Sequence, residues 1–351
     1  MRVDEFDFEL PERLIALRPA VPRDSARLLV VRADGSREHR AIRDLPELLR
    51  EGDVLVVNDS KVVPARLRGT RCRDERGTEV GAKFEVLSHQ RISPAVYRAL
   101  ARPAKRLKPG DPVLLGQTLK ARVLARNGAE IEIAFDAAGI ELDAAIAAQG
   151  EMPLPPYIAT RRSPDAKDRA DYQTIYAREP GSVAAPTAGL HFTPELLERL
   201  RQNGIHVGKV TLHIGPGTFL PVTVEDSRDH VMHAEWVEIP PDVAGQLNRI
   251  RSSGGRIVAV GSTALRTVET AADDRGMIHP MKDETTLFIT PGFRFRAVDV
   301  LLTNFHLPRS TLFMLVCAFS GTKVIKAAYA DAIAAEYRFY SYGDACLLFR
   351  P

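Results

Sequence analysis

The chain has 351 residues, of which 45% are hydrophobic and 26% are charged, and its formal net charge is +3. This length favours two domains over a single core, and the composition is that of a globular protein rather than a disordered or fibrous one. The longest apolar run, around Leu312 to Phe319, is about half of the ~18 residues that cross a membrane, so no membrane span is expected. The three cysteines form no Cys-x-x-Cys pair and the N-terminus is acidic, so we expect a cytoplasmic protein without a structural zinc site or a signal peptide.

The first 64 residues predict short helices and strands. Leu45, Leu48 and Leu49 share one face of a helix that Gly52 ends. Val54–Val57 is an uninterrupted apolar run, which is typical of a fully buried strand.

Residues 65–150 have a different pattern, in which short apolar segments alternate with turns. Asn127-Gly128 stands between two such segments and is the strongest short signal for a β-hairpin. We therefore predict a small antiparallel β-barrel, residues 65–150, inserted into a mixed α/β main domain formed by residues 1–64 and 151–351. A helix from Glu141 to Gln149 leads the chain back, and no helix longer than two turns is expected in the insert.

Positive charge is concentrated in the same segment. Residues 65–150 contain 15 Lys and Arg against 10 Asp and Glu, whereas the rest of the chain contains 33 against 35. The densest positive run holds Lys105, Arg106 and Lys108, named here the basic turn. Such a segment can face phosphate groups, although an arginine-rich surface that contacts only water has the same pattern.

From residue 184 onward helices and strands alternate, which indicates a mixed α/β domain. Thr193, Asp242 and Ser310 are each expected to cap a helix. Ile257–Val260 and Val300–Leu302 are each expected to form a buried strand.

Three histidines stand in segments rich in small residues, near the ends of predicted elements. His191 follows Gly189, His213 ends a strand just before Gly215–Gly217, and His306 follows a buried strand. Histidine titrates near neutrality, so each is a candidate general acid or base. On residue type alone, a histidine with only a structural hydrogen bond is the alternative.

The segment from Val260 to Arg266 predicts an anion-binding site. A strand runs through Gly261 into a helix whose first turn carries the hydroxyls of Ser262 and Thr263, and Arg266 lies one turn further on. The segment lacks the Walker lysine and the three-glycine dinucleotide fingerprint, so nucleoside triphosphates and NAD are disfavoured as ligands.

His230 and His233 could both bind a metal ion, and Glu235 lies two residues after the second of them. However, no third ligand at a suitable spacing is evident, and the local pattern is that of a loop running into a strand. No Gly-x-Ser-x-Gly elbow is present either, so metal-dependent and serine hydrolysis are both disfavoured, and we predict no metal site.

Long motifs occur from one end of the chain to the other. They are Phe8–Pro11, Asn58–Leu67, Gly150–Ile158, Ala184–Phe192, Gly215–Phe219, Thr303–Pro308 and Tyr337–Ala345. In this order they resemble the S-adenosylmethionine:tRNA ribosyltransferase-isomerase family of queuosine biosynthesis. The chain departs from the family at Ser60 and Lys61, where Thr and Arg are usual, and at Ser262 and Ala264 of a Gly-Thr-Thr-Ser/Thr motif. Lys61 keeps the positive charge of the usual arginine but not its planar fork.

The resemblance implies an α/β domain with an inserted β-barrel and two substrates, S-adenosylmethionine and a tRNA with 7-aminomethyl-7-deazaguanine at the wobble position. It implies epoxyqueuosine-tRNA, adenine and methionine as products, and no redox cofactor or metal. We expect a monomer. His191, His213 and His306 are the expected catalytic residues, with Asp59 as a partner that orients an imidazole. The expected tRNA contact is the basic turn, and the expected substrate-binding residues are Lys61, Arg66, Thr187, Gly189, Gly217, Thr218, Ser262, Thr263, Arg266, Asn304, Tyr342 and Asp344.

Two other readings compete with this one. A tRNA-binding module without catalysis would account for the basic insert, but not for the His, Gly and Thr residues at strand ends. A metal-dependent hydrolase would account for His230 and His233 and leave the other motifs without a role.

Overall fold

The computed structural model describes residues 1–72, 80–219, 222 and 224–351. Within these residues the strands are β1 (Arg27–Val31), β2 (Arg37–Ala41), β3 (Val54–Asn58), β4 (Ser60–Val62), β5 (Arg66–Cys72), β6 (Val80–Ser93), β7 (Val96–Arg102), β8 (Pro112–Leu115), β9 (Leu119–Asn127), β10 (Glu130–Phe135), β11 (Glu179–Ser182), β12 (His206–Leu212), β13 (Glu235–Ile239), β14 (Ile257–Val260), β15 (Met281–Thr285), β16 (Val300–Asn304) and β17 (Ala345–Phe349). The helices are α1 (Leu45–Leu48), α2 (Gly139–Gln149), α3 (Pro156–Ala159), α4 (Asp168–Asp171), α5 (Pro194–Gln202), α6 (Pro241–Ser252), α7 (Gly261–Ala271), α8 (Thr311–Ser320) and α9 (Thr322–Ala334). Short 3₁₀ turns are formed by Val3–Phe6, Glu12–Leu14, Arg23–Ser25, Ile42–Asp44, Ala104–Arg106, Thr187–His191, Pro216–Phe219 and Ser227–Asp229.

The described chain divides into two compact units. The main unit contains Met1–Ser60, Gln173–Glu179 and Ala185–Pro351, and the barrel unit contains Lys61–Tyr172 and Pro180–Ala184. The second unit is therefore wider than the insert of residues 65–150 that the sequence suggests. A mixed α/β fold with a closed antiparallel barrel confirms the predicted fold class.

A nine-stranded sheet forms the centre of the main unit, in the order β15-β13-β12-β3-β14-β16-β17-β1-β2. Its central strands β12, β3, β14 and β16 are parallel. In β3, Val54 and Val56 pack on one face of the sheet, with α7, α8 and α9, while Leu55 and Val57 pack on the other, with α1 and α5. A parallel strand covered on both faces needs apolar residues at every position, which is why the run Val54–Val57 shows no alternation.

Helix caps explain several helix starts. The Thr193 hydroxyl accepts a hydrogen bond from the Leu196 N–H, and the Ser310 hydroxyl accepts one from Phe313, each at 3.1 Å, so both predicted caps are confirmed. The expected Asp242 cap is wrong, because α6 already begins at Pro241 with Pro240 as its N-cap. Proline is pre-organised for the first helical position, and Asp242 lies in the first turn, where the helix dipole favours a carboxylate.

The barrel unit is a closed barrel in the order β10-β7-β6-β5-β8-β9. Ile131, Ile133 and Phe135 of β10 alternate into its core, as a half-buried strand requires. Gly128, with φ of +61°, turns β9 into β10 and confirms the predicted hairpin. The expectation of no helix longer than two turns is wrong, because α2 has 11 residues, about three turns, and buries Leu142 and Ile146 in the barrel core.

No single helix in the described ranges is long and apolar enough to cross a membrane. Helices α8 and α9 reach that length and composition only together, bent by 114°, and both contribute buried side chains to the core of the main unit.

Candidate active site

Polar residues meet at one edge of the main sheet. Since β12, β3, β14 and β16 are parallel neighbours, their carboxyl ends lie side by side. The residues at or just past these four ends include His213, Asp59, Ser262 and Asn304. Open α/β sheets bind ligands at this position, named here the carboxyl edge.

The His213 imidazole is held at the carboxyl edge by two contacts. Its Nδ1 lies 2.8 Å from the Ser60 Oγ, and its ring stacks on Trp236 with centroids 4.9 Å apart and 15° between the planes. Burial lowers the pKa of His213, against a smaller opposing effect of Glu179 and Glu238. Burial thus favours the neutral form of the ring, which is only half-buried.

Asp59 makes different contacts from those expected. Its Oδ1 accepts a hydrogen bond from the Thr211 hydroxyl at 2.7 Å, and its Oδ2 lies 3.3 Å from the Arg178 guanidinium. Burial raises the pKa of Asp59, although Thr211 and Arg178 oppose this. The hydrogen-bond partner of His213 is thus Ser60 and not Asp59, because Asp59 is turned toward Thr211 on the neighbouring strand.

His191 lies at the end of the Thr187–His191 turn and contacts β16. Its Nε2 is 3.3 Å from the Asn304 side-chain nitrogen, and burial lowers the pKa of His191 to about 4. The buried Oδ1 of Asn304 has no hydrogen-bond partner among the described residues. The two predicted residues therefore form a neutral pair.

Position 189 of the same turn requires glycine, because the Tyr176 hydroxyl lies too close for a Cβ atom. A Cβ at this position would lie 2.2 Å from the Tyr176 hydroxyl. Arg23 also holds the turn by donating hydrogen bonds to the carbonyl oxygens of Leu190 and Gln173, at 3.4 and 2.9 Å. These contacts fix the position of His191.

His306 has the surroundings of a structural histidine. Its Nε2 lies 3.1 Å from the Thr303 hydroxyl, its backbone N–H donates to the Tyr329 hydroxyl at 3.0 Å, and burial lowers the pKa of His306 to about 3. A fully enclosed imidazole of this basicity is a poor general base at neutral pH.

The Asp344 carboxylate forms hydrogen bonds within the protein. It accepts hydrogen bonds from the backbone N–H groups of Arg27 and Arg338, at 3.0 and 2.8 Å, and from the Arg338 guanidinium at 3.2 Å. These bonds tie the start of β1 to the turn before β17, which gives Asp344 a structural role, and its substrate contact stays a prediction. Tyr342, in the same turn, is buried.

A pocket of about 370 Å³ in the main unit, named here the Arg266 pocket, collects several of the predicted motifs. It is lined by Gly215, Gly217, Val224, Asp229, His230, Val231, Met232, His233, Glu235, Arg266, Leu287, Phe288, Ile289, Thr311, Leu312 and Leu315. Eight of the lining side chains are apolar, and six are polar or charged: Asp229, His230, His233, Glu235, Arg266 and Thr311.

The Arg266 guanidinium forms a buried ion pair with Glu235 and donates a hydrogen bond to the Leu287 carbonyl at 2.9 Å. The other Glu235 oxygen accepts from the Gly215 N–H at 3.1 Å. One Arg266 nitrogen, Nη2, is buried without a hydrogen-bond partner within the described part of the chain. Glu235 already balances the charge of Arg266. An anionic ligand predicted at this arginine would therefore be repelled by the Glu235 carboxylate.

Because Gly217 has no side chain, the His233 imidazole fits against it in the pocket wall. A Cβ on Gly217 would lie 2.6 Å from the His233 Cδ2, so any larger residue would displace the imidazole. Thr218 follows in the Pro216–Phe219 turn, and its side chain lies outside the described residues.

The predicted residues of the barrel unit lie on its surface or near it. Lys61 is exposed on β4, and Arg66 on β5 donates a hydrogen bond to the Leu154 carbonyl at 3.2 Å. All three residues of the basic turn are exposed. Its central member, Arg106, donates to the Lys83 carbonyl at 3.3 Å, which fixes the turn on the barrel.

Sequence patterns assign no site role to Ser60 or Trp236, and they suggest Glu235 only as a metal ligand. Ser60 binds His213 across 153 positions, and Trp236 and Glu235 reach the site because β13 pairs with β12. A single tryptophan next to a histidine-rich loop is the only sequence signal, and it does not specify this pairing.

Comparison with known proteins identifies the family. A family model described as queuosine biosynthesis protein matches residues 3–348. A protein of Caulobacter sp. (strain K31) named S-adenosylmethionine:tRNA ribosyltransferase-isomerase is 59% identical over 362 residues, covering 100% of this chain and 97% of its own length. A protein of Phenylobacterium zucineum (strain HLK1) with the same name is 58% identical, and the alignment covers 100% of both chains.

A solved structure agrees with this result. The crystal structure of S-adenosylmethionine tRNA ribosyltransferase from Thermotoga maritima is 35% identical, with a TM-score of 0.54, and the match covers 98% of this chain and 100% of that one. The chain therefore belongs to the queuosine biosynthesis family of S-adenosylmethionine:tRNA ribosyltransferase-isomerases.

Proposed function

We propose that the chain transfers the ribosyl group of S-adenosylmethionine to 7-aminomethyl-7-deazaguanine at the wobble position of tRNA and isomerises it. The products are epoxyqueuosine-tRNA, adenine and methionine. The observation that carries this proposal is the position of the His213 imidazole, which Ser60 and Trp236 fix at the carboxyl edge.

The reaction needs a base of near-neutral strength. The sulfonium acidifies the C5′ hydrogen, and a base that removes it allows the ribose ring to open and adenine to leave with the C–N electron pair and a proton. Ring opening leaves a vinyl sulfonium at C4′ and C5′ and an aldehyde at C1′. The substrate amine adds to C4′ and loses a proton, and the C5′ carbanion that results bonds to C1′ and closes the carbocycle. The C1′ alkoxide then attacks C5′, which forms the epoxide, breaks the C–S bond and expels methionine as a neutral thioether. These steps need no redox cofactor or metal.

His213 is the best candidate for this base. A general base works best when its pKa lies near the operating pH, and the imidazole must carry a free lone pair. Burial lowers the pKa values of His191 and His306 to about 4 and 3, whereas His213 is only half-buried. If Nδ1–H donates to the Ser60 hydroxyl, the Nε2 lone pair of His213 is available to the substrate.

His191 and Asn304 are proposed as positioning residues. The strand order separates β12 from β16 by three spacings, or about 14 Å, so His213 and Asn304 would contact different parts of one ligand. The unpartnered Asn304 Oδ1 is suited to accept a hydrogen bond from a ribose hydroxyl.

The first turn of α7 is proposed to receive the methionine carboxylate. Its N–H groups and the Ser262 and Thr263 hydroxyls are donors, and the buried Thr263 Oγ1 has no partner in the described part of the structure. This assignment replaces Arg266, whose charge is balanced by Glu235.

Binding of tRNA is assigned to phosphate contacts from the basic turn of the barrel unit, and we propose that the enzyme acts as a monomer. The exposed cationic side chains support the first assignment.

The test is adenine release. Purified chain is mixed with S-adenosylmethionine and tRNA that carries 7-aminomethyl-7-deazaguanine, and adenine and methionine are quantified by chromatography. We expect equal amounts of both, and none with the same tRNA carrying guanine at the wobble position. Saturable tRNA binding without adenine release would support a non-catalytic tRNA-binding module instead.

A further inference from the structure

We propose that Trp236 is a positioning residue for the base: its indole holds the His213 imidazole and stabilises the cation that forms when this ring takes the C5′ proton. This inference rests on the proposed function and adds a residue to it. It follows from the pairing of β12 with β13, from the contact between the two rings and from the surroundings of Trp236.

The stack is fixed both by the backbone and by the side chains. β12 and β13 are antiparallel, with Leu212 opposite Val237, and the His213 N–H donates a hydrogen bond to the Trp236 carbonyl at 2.9 Å. Opposite residues of antiparallel strands hold their Cβ atoms about 4.5–5.5 Å apart on one face of the sheet, so the two side chains leave the sheet together. The indole covers one face of the imidazole, with 15° between the ring planes. A substrate therefore meets the imidazole at its edge, where Nε2 lies.

Core packing does not require a tryptophan at this position. Val237 and Ile239 of β13 are buried, whereas Trp236 and Glu238 alternate with them on the opposite face and are only half-buried. Within the described ranges, the aromatic ring that contacts Trp236 is that of His213. The indole thus supports the imidazole from a face of the strand that the core does not use.

Proton transfer changes the strength of this stack. The Nε2 lone pair of His213 bonds to the C5′ proton, the C–H electron pair stays on the substrate, and the imidazole becomes a cation. The face of an indole is electron-rich and attracts a cation, and tryptophan provides the strongest contact of this kind among the aromatic side chains. The stack therefore stabilises the protonated ring more than the neutral one. Only an interaction that strengthens as the reaction proceeds accelerates the chemical step.

Other groups around the imidazole act in both directions. Burial has the largest effect and lowers the pKa of His213, whereas Glu179 of β11 and Glu238 of β13 raise it. Lys282 of β15 lies 5.5 Å from the centre of the indole ring and opposes a second cation there. Its side chain is 69% exposed and lies 3.6 Å from Glu238, so solvent and this carboxylate weaken the opposition. Ser60 of β4 adds no charge. The indole therefore acts together with the two carboxylates and offsets part of the effect of burial.

The experiment follows the histidine Cε1–H signals of the full chain by NMR as a function of pH, and the spectrum of His213→Gln assigns the His213 signal. Trp236→Leu removes the aromatic face, and Trp236→Phe, which retains one, is the matched control. We expect Trp236→Leu to lower the proton affinity of His213 about three- to tenfold, so that its titration moves to lower pH, and Trp236→Phe to lower it less than about threefold. The exposed His206, at the opposite end of β12, should titrate identically in all three proteins.

A rate measurement separates this role from a merely structural one. In single-turnover adenine release, Trp236→Leu should slow the chemical step at least about threefold and move its acidic limb to lower pH, while affinity for S-adenosylmethionine stays near that of the parent. If Trp236→Leu does not fold, Trp236→Met takes its place. An unchanged or raised His213 titration in the folded variant, or an unchanged rate, overturns the role of Trp236, while the proposed function stands if the parent releases adenine. Absence of adenine release from the parent overturns the function, and the NMR titration still decides whether the indole stabilises the cation.

Discussion

Replacing His213 by glutamine tests the assignment of the general base. The side-chain amide of glutamine can still reach the Ser60 hydroxyl but cannot take a proton from C5′. Loss of a positioned general base costs about 10²–10⁴ in rate, which is ~3–5 kcal/mol of barrier. The chemical step should slow by this factor while affinity for S-adenosylmethionine stays near that of the parent.

The same substitution should leave the protein folded. His213 contributes one stacking contact, with Trp236, and one hydrogen bond, with Ser60. Each is worth about 0.5–1.5 kcal/mol, together less than the roughly 5–15 kcal/mol of a stable domain. A large loss of rate would therefore report on chemistry rather than on unfolding.

The assay is single-turnover adenine release at saturating substrate, as a function of pH. A base must be deprotonated, so the parent's rate should rise with pH through the pKa of His213 and then level off. Burial lowers that pKa, so the rise should lie below the range of an exposed histidine and be absent in His213→Gln. His206→Gln is the matched control, because His206 is an exposed histidine at the opposite end of β12. A His213→Gln rate within a few-fold of the parent, with the acidic limb retained, would refute the assignment and favour Asp59.

Three further results are expected. Triple alanine substitution in the basic turn should reduce the slope of log tRNA affinity against log salt by about two to three units, measured by filter binding, and an unchanged slope would mean that the turn contacts only water. Thr193→Ala should lower the free energy of unfolding by about 1 kcal/mol in urea titration, because Leu196 loses its cap, and Thr193→Ser should retain most of it. Acidification from about pH 6.5 toward pH 4 should destabilise the fold, because burial lowers the pKa values of His191 and His306 to about 4 and 3 and the unfolded chain then binds more protons. Urea titrations of His306→Gln should show a shallower dependence on pH in this window, and an identical dependence would contradict the cause given.

The elements that the sequence predicts well depend on local information. Ile257–Val260 is buried at every position, and a run without polar residues predicts this before any partner strand is known. The caps at Thr193 and Ser310 involve residues three positions apart, so their chemistry is visible in the sequence itself. Asp242 fails as a cap because two prolines before it start the helix earlier.

The contacts that organise the candidate site are not local. Arg266 meets Glu235 because α7 and β13 pack together, and His213 meets Ser60 because β12 and β3 are parallel neighbours. A sequence pattern gives the type and length of each element but not the pairing of strands distant in the chain. For this reason the sequence predicts an anion at Arg266, whereas in the structure Glu235 balances the charge of this arginine.

The central claim is that a base of this chain removes a proton from C5′. The most direct measurement uses S-adenosylmethionine that carries deuterium at both C5′ positions. Modified tRNA is converted in ordinary water, and the nucleoside product is analysed by mass spectrometry alongside the rate of adenine release. We expect slower turnover than with unlabelled substrate and loss of C5′ deuterium to solvent. Full retention of both deuterium atoms at an unchanged rate would contradict the account.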